Sequence, residues 1–335
     1  LAMRLRTSSI TLMLEYVAKS GMGQEDPQAA ADILGHEDYL FEARRYGLDS
    51  REPLVSYFAR FRTIAPEDIP ELSPDRRTAL RDRHGLWLDC AAHPQKYRDR
   101  YRRLMGMLTE ENLQNLQDRL RAAFPGDVYL DDIDVVSTLS FGPSFGYVHE
   151  NALHLDLFGV ETYCAMEELP YVILHEMHHL QTMKLVGSYH SFTEKFSALE
   201  RYIFRFTGEG MAIKFCNNAE GILSKRMNPG LDANIGIPAM AILNRHFPEH
   251  LALFQDTVRR LEGGLISEKE IDEQFRTYWW NPHLYPEESA SLEQTPIYSF
   301  GNELFGSIYD AFGLDVMFQC FYHPCKTLEH FRPLG

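Results

Sequence analysis

The chain has 335 residues, 44% of them hydrophobic, and a formal net charge of −15. That length can bury one large core or the cores of two ordinary domains, and the acidity disfavours nucleic acid and anionic membranes as main partners. No stretch is long and apolar enough to span a bilayer as a helix.

Five cysteines (Cys90, Cys164, Cys216, Cys320 and Cys325) are widely spaced and form no C-x-x-C. That argues against a disulfide framework and a thiolate zinc site, and it fits a reducing, cytoplasmic compartment. Residues 7–15 are too polar for a signal peptide.

Residues 1–125 read as a helical region. Leu12, Met13 and Val17 help form an early apolar stripe. Between Arg76 and Arg103 nine basic residues interleave with Asp75, Asp82, Asp89 and Asp99, the pattern of a solvated helix face. Thr109 is a good N-cap for a helix with Leu113, Leu116, Leu120 and Ala123 on one side. Pro125-Gly126-Asp127 stops it.

The character changes in residues 126–335. Residues 128–139 are β-rich, and 141–146 form a turn-rich loop. Residues 152–158 alternate, with Leu153, Leu155 and Leu157 on one face and His154 and Asp156 on the other. That pattern predicts a half-exposed strand. Pro170 then opens a helix. Ser191 and Glu194 have the spacing of a capping box for the next one. The rest is mostly helical, broken by a loop at 280–283. The fold class expected is α+β, predominantly α, with a small sheet. The change near residue 125 divides a helical N-terminal region, 1–125, from a second region, 126–335.

The strongest motif is His175-Glu176-Met177-His178-His179, an H-E-x-x-H inside an apolar run. Residues four apart share a helix face, so His175 and His179 can turn imidazole nitrogens toward one metal. Glu176 can reach a water there without being a ligand. At about 100° per residue, Ile173, Met177 and Leu180 fall on the opposite side. One stripe packs a core while the other presents histidines. His178 is expected to be a supporting or packing residue.

A catalytic zinc needs a third protein ligand and an open position. The continuation H-x-x-G-x-x-H is absent after His179, so an acidic ligand from a following helix is expected. Glu200 and Glu209 are the candidates. Glu209 is preferred because Gly208, Gly210 and Ala212 are small enough for its helix to approach the histidine helix closely. Glu200 is flanked by bulky residues and precedes Arg201.

His175-Glu176-x-x-His179 with Glu209-Gly210-x-Ala212 resembles the gluzincin metallopeptidases, a branch of the zincin superfamily that includes thermolysin-like enzymes. The Glu-Gly-x-Ala form is similar to aminopeptidase N-like enzymes. Tyr298-Ser299-Phe300-Gly301, with Gly313 closing the segment, resembles their Y-x-x-G helix. The resemblance covers about 25 residues in three short blocks. It implies that residues 126–335 are a zincin-like catalytic domain with an H-E-x-x-H active-site helix and a helical C-terminal part, and Zn²⁺ held by His175, His179 and Glu209. It also implies Glu176 as general base, Tyr298 as oxyanion stabiliser, and a peptide or protein substrate. It further implies that 152–158 is an edge strand pairing with substrate, with His154 or Asp156 facing the cleft. Asp156 and Glu194 are the expected partners of the zinc histidines. Gly146 to Asn151 faintly resembles the G-x-M-E-N loop, in which the carboxylate, here Glu150, binds a substrate amino terminus.

The chain also departs from that pattern. Residues 187–206 are an insertion before Glu209, and Phe300 stands where lysine is usual. The whole looks closer to uncharacterised bacterial families of zinc-dependent peptidases than to aminopeptidase N. Two other readings keep the same ligands: a zinc-stabilised binding or scaffold protein, and a zinc hydrolase of non-peptide substrates. Glu176 and Tyr298 favour catalysis, since a structural zinc needs neither.

Overall fold

The computed structural model describes every residue except 49–50, 70–71, 143–145, 162–165, 167–168, 214–242, 244, 282, 286–294 and 332–335. Cys164, Cys216, Pro282 and part of the 141–146 loop therefore lie outside the described residues. Among the described residues helices predominate, beside one mixed four-stranded sheet. The strands are β1 Met3–Arg6, β2 Ile133–Thr138, β3 Gly146–His149 and β4 Ala152–Asp156, in the order β1-β2-β4-β3. β1, β2 and β4 run parallel, and β3 is antiparallel to β4.

Two compact units make up the chain: Leu1–Gln117 with Asp131–Leu169, and Asp118–Leu130 with Pro170–Gly335. The division near residue 125 is thus one of sequence character. The strands that follow it belong to the same unit as the N-terminal helices.

In the first unit, β1 corrects the all-helical reading of residues 1–125. Met3-Arg4-Leu5-Arg6 does alternate, but over only four residues, and its partner is distant in sequence. Arg4 lies opposite Asp134, and its Nε donates to that carboxylate at 3.0 Å. The helix Ser8–Gly21 buries Ile10, Met13, Leu14 and Val17, whereas Leu12 is exposed and leaves the expected stripe. Asp26 caps Pro27–Leu34 by accepting from the amides of Gln28 and Ala29, each at 3.0 Å, which satisfies two of the orphan donors of the first turn. Thr109 caps Glu110–Ala122 as expected, its hydroxyl accepting from Asn112 N at 3.3 Å.

β4 is neither half-exposed nor an edge. It is hydrogen-bonded on both sides, to β2 and β3, so no ladder remains for a substrate. All five of its residues are buried. Its two polar side chains have internal partners instead of solvent. His154 stacks on Tyr147 with ring centroids 4.7 Å apart. Asp156 forms a buried ion pair with Arg83 and accepts from the amides of Ser140 and Phe158, each at 3.0 Å. Asp156 therefore has a structural role within this unit.

The same contacts qualify the basic face. Arg102 and Arg103 are solvated, but Arg83 and Arg100 are buried. Arg100 donates to the carbonyls of Leu157 and Phe158 at 3.2 and 3.3 Å. Trp87, Phe58 and Phe158 pack edge to face beneath, at 4.8 and 5.0 Å.

Burial of His154 makes stability depend on pH. Desolvation, then the charges of His149, Arg6 and Arg45, hold its pKa down to about 3. The unfolded chain takes up this proton near pH 6.5, and the folded chain refuses it until about pH 3. The stabilisation is complete above pH 6.5 and is lost as pH falls. Lowering the pH from 7 to 5 is expected to cost the wild type about 2 kcal/mol more than His154→Phe, read by urea unfolding. An equal loss in both proteins would refute this assignment. Buried Glu42, pushed up to about 7 by desolvation, acts in the opposite direction, because its folded form keeps a proton that the unfolded form releases. Comparing the variant with the wild type separates the two.

Candidate metal centre

The helix Leu169–Val186 carries residues 175–179. Pro170 sits in its first turn, where the missing N–H costs nothing. It ends at Gly187, whose φ of +77° suits glycine at a helix C-terminus. Ile173, Met177 and Leu180 are buried, as the periodicity predicts, and Leu174 is buried as well. His178 is fully buried 4.8 Å from the ring of Phe124. Desolvation, then the charges of His179 and His175, keep it well below its ordinary pKa. It is a neutral packing residue.

On the other face His175 and His179 meet edge to face, with ring centroids 4.6 Å apart at 85°. Their Nε2 atoms are 3.0 Å apart. Glu209, on the helix Thr207–Ala212, completes a triangle. Its Oε2 lies 3.0 Å from His175 Nε2 and 3.2 Å from His179 Nε2. Burial pushes the Glu209 carboxyl up, but the hydrogen bonds and charges of the two histidines outweigh it and hold the group well below the usual carboxylate range. Among the described residues this is the one cluster of three or more His, Cys, Asp or Glu side chains that could hold a metal ion.

Glu200 is used elsewhere. It forms a capping box with Ser197 at the start of Ala198–Phe204, its carboxylate accepting from Ser197 N at 2.8 Å. The expected capping box at Ser191 and Glu194 is not formed. Ser188 precedes the short helix Tyr189–Thr193, and Glu194 follows it on the surface, 3.1 Å from His190. Glu194 is therefore not a partner of the metal-site histidines. The 187–206 segment packs through Phe192, Phe196 and Phe204; Phe192 stacks on Phe321, and Phe204 meets the same ring at a tilt. It is tied to the histidine helix by Thr182, whose Oγ lies 2.9 Å from the Tyr189 hydroxyl and 3.0 Å from the His179 carbonyl. Sequence reasoning missed both residues. The available signal was only a threonine one turn beyond His178.

Tyr298 comes from the helix Pro296–Phe312. Its ring centroid is 6.4 Å from that of His175, and Trp280 meets it edge-on at 5.8 Å. Burial, then the negative charges of Glu209 and Glu176, push its hydroxyl pKa up, so it stays a proton donor at any physiological pH. Glu176 is half-buried on the histidine helix and supplies no atom to the triangle.

Gly208 and Gly210 have different neighbours. A Cβ on Gly208 would meet His179 ring atoms at 3.8 Å, an ordinary contact. One on Gly210 would lie 2.4 Å from the carbonyl oxygen of Gly301. The close approach that requires glycine beside Glu209 is therefore to the tyrosine helix, at Gly210, and not to the histidine helix as the small residues had suggested, where a methyl on Gly208 would fit. Phe300, where lysine is usual, is fully buried against Phe206, Phe254 and Trp279. That surrounding would leave a lysine ammonium unpaired.

Glu150 belongs to the first unit, in the two-residue turn between β3 and β4. Its φ is +50°, it is exposed, and it lies 3.6 Å from His149.

Residues 63–332 match the family described as "Putative zinc dependent peptidase (DUF5700)". The chain belongs to this family. Comparison with curated proteins and with solved structures returned no match. Zinc is the cofactor the family description names.

The residues present fit that ion. Four-coordinate zinc with bonds of roughly 2.0–2.1 Å places its ligand atoms roughly 3.3–3.4 Å apart. The triangle's sides of 3.0, 3.0 and 3.2 Å are close to this. Two imidazole nitrogens and one carboxylate oxygen are a common catalytic zinc set, and three ligands leave a fourth position open. Cys90, Cys320 and Cys325 are free thiols outside the cluster. Among the described residues no helix is long and apolar enough to cross a membrane.

Proposed function

We propose that the protein is a gluzincin-type metallopeptidase whose zinc is held by His175, His179 and Glu209. The observation that carries this reading is the triangle of ligand atoms with Glu176 and Tyr298 beside it. A zinc that only held the fold would need neither of those two groups.

Zinc, when bound, supplies a Lewis acid that makes water easier to deprotonate and a carbonyl easier to attack. Glu176 takes the proton from the attacking water and returns it to the leaving amine. The Tyr298 hydroxyl donates a hydrogen bond to the carbonyl oxygen as negative charge builds there. Burial suits it for this, because the raised pKa keeps the proton on the phenol. His175, His179 and Glu209 would hold the ion through two imidazole nitrogens and one carboxylate oxygen.

The direct test is digestion of a mixed peptide library by zinc-loaded and chelator-treated protein, read by mass spectrometry. The reading expects cleavage only in the loaded sample. No cleavage of any peptide would favour a scaffold or a non-peptide substrate. Tyr298→Phe is expected to lower kcat about 10²–10³-fold while zinc affinity stays as it was. An unchanged kcat would remove Tyr298 from the mechanism.

A further inference from the structure

We infer that Gly210 and Gly301 are positioning residues. Their backbone-to-backbone contact sets the spacing of Glu209 and Tyr298 before any metal binds. The inference rests on the reading of Glu209 as a zinc ligand and deepens it.

Neither glycine is required by its own backbone. Both lie inside helices and neither has a positive φ. Glycine there weakens each helix relative to alanine, so its use at both positions points to close approach. The distances bear this out. A Cβ on Gly210 would lie 2.4, 2.5 and 2.8 Å from the O, C and Cα of Gly301. A Cβ on Gly301 would lie 2.9 Å from Gly210 Cα and 2.9 Å from the Phe206 carbonyl oxygen. These are backbone atoms, which cannot swing aside as a side-chain tip can. Even one methyl group must push the two helices about 1 Å apart or twist them.

The contact adjoins both groups that matter. Gly210 follows Glu209 directly. Gly301 is three residues after Tyr298 and shares its helix face. The aromatic core closes the same joint from behind, with Phe206 and Phe300 at 5.5 Å, edge to face. Gly210 N also donates to the Phe206 carbonyl at 3.1 Å. A shift of the glutamate helix along this joint moves the carboxylate away from the histidines, which stand on a separate helix. The same shift changes the separation of Glu209 and Tyr298.

The test uses Gly301→Ala and Gly210→Ala, with Gly208→Ala as the control with room for its methyl. Zinc affinity is measured by competition with a chromophoric chelator, beside thermal unfolding of the metal-free protein and kcat and KM on a cleaved peptide. Gly301→Ala and Gly210→Ala are expected to weaken zinc binding about 10–100-fold and to lower kcat about 10²-fold with KM little changed. Gly208→Ala is expected to bind zinc like the wild type. A lower unfolding temperature with zinc affinity and kcat intact would make the contact merely structural and overturn the inference. If the two variants do not fold, hydrogen exchange on the wild type decides. Slow exchange in 207–212 and 296–304, equal with and without zinc, is the expected result. Exchange that rises when zinc is removed would mean that the metal sets the spacing. Glu209→Gln separates the two levels: if it too leaves zinc binding intact, the ligand assignment fails and not only the spacing.

Discussion

Glu176→Gln is expected to bind zinc as the wild type does and to lose kcat by about 10²–10⁴-fold. The amide has nearly the same shape as the carboxylate, so the half-buried position is filled and the histidine helix keeps its packing. Glu176 contributes no atom to the metal triangle, so the affinity has no reason to fall. What disappears is a base that can carry a proton from water to the leaving amine. The substitution also removes one of the charges that raise the Tyr298 pKa. That change is small beside burial, the leading cause, so the phenol remains protonated. The two measurements are chelator competition and turnover of the best peptide from the library digest. Full turnover in this variant would end the mechanism, whatever the metal content.

The second large effect is on the metal itself. Glu209→Gln is expected to reduce zinc affinity by more than the roughly 10–100-fold that loss of an outer partner costs. Two reasons combine. One of three protein ligands is weakened, and the only anion in the cluster becomes neutral, leaving two imidazoles alone against a divalent charge. Burial pushes this carboxyl up, but the hydrogen bonds and charges of His175 and His179 outweigh it, so the ligand is already ionised when a metal arrives. A variant that kept wild-type affinity would direct the search for the third ligand elsewhere. Glu200 would remain a poor choice, since its carboxylate is spent on the Ser197 amide at 2.8 Å.

The part of this site that could be read from the chain is the part set by local periodicity. Residues 169–186 form a helix because apolar positions recur at its spacing, and that spacing puts His175 and His179 on one face. The Thr109 cap and the leucines after it are equally local. What escaped depends on distant partners. β1 is only four residues long, and it is a strand because Ile133–Val136 lies beside it. β4 looks half-exposed by its alternation, yet Asp156 is buried because Arg83, from a helix remote in sequence, reaches it. The same arginine is indistinguishable in sequence from solvated neighbours such as Arg102. The glycine joint is intermediate. Glu209-Gly210 and Tyr298-x-x-Gly301 stand out as patterns, but only the packed helices reveal that the two glycines touch each other.

His175, His179 and Glu209 are proposed to hold a catalytic zinc. The most direct measurement is X-ray absorption at the zinc edge of protein loaded with one equivalent of the metal. Two imidazole nitrogens, one carboxylate oxygen and one further light ligand are expected, with the carboxylate contribution lost in Glu209→Gln. A sulfur ligand, or a spectrum unaltered by Glu209→Gln, would contradict that assignment.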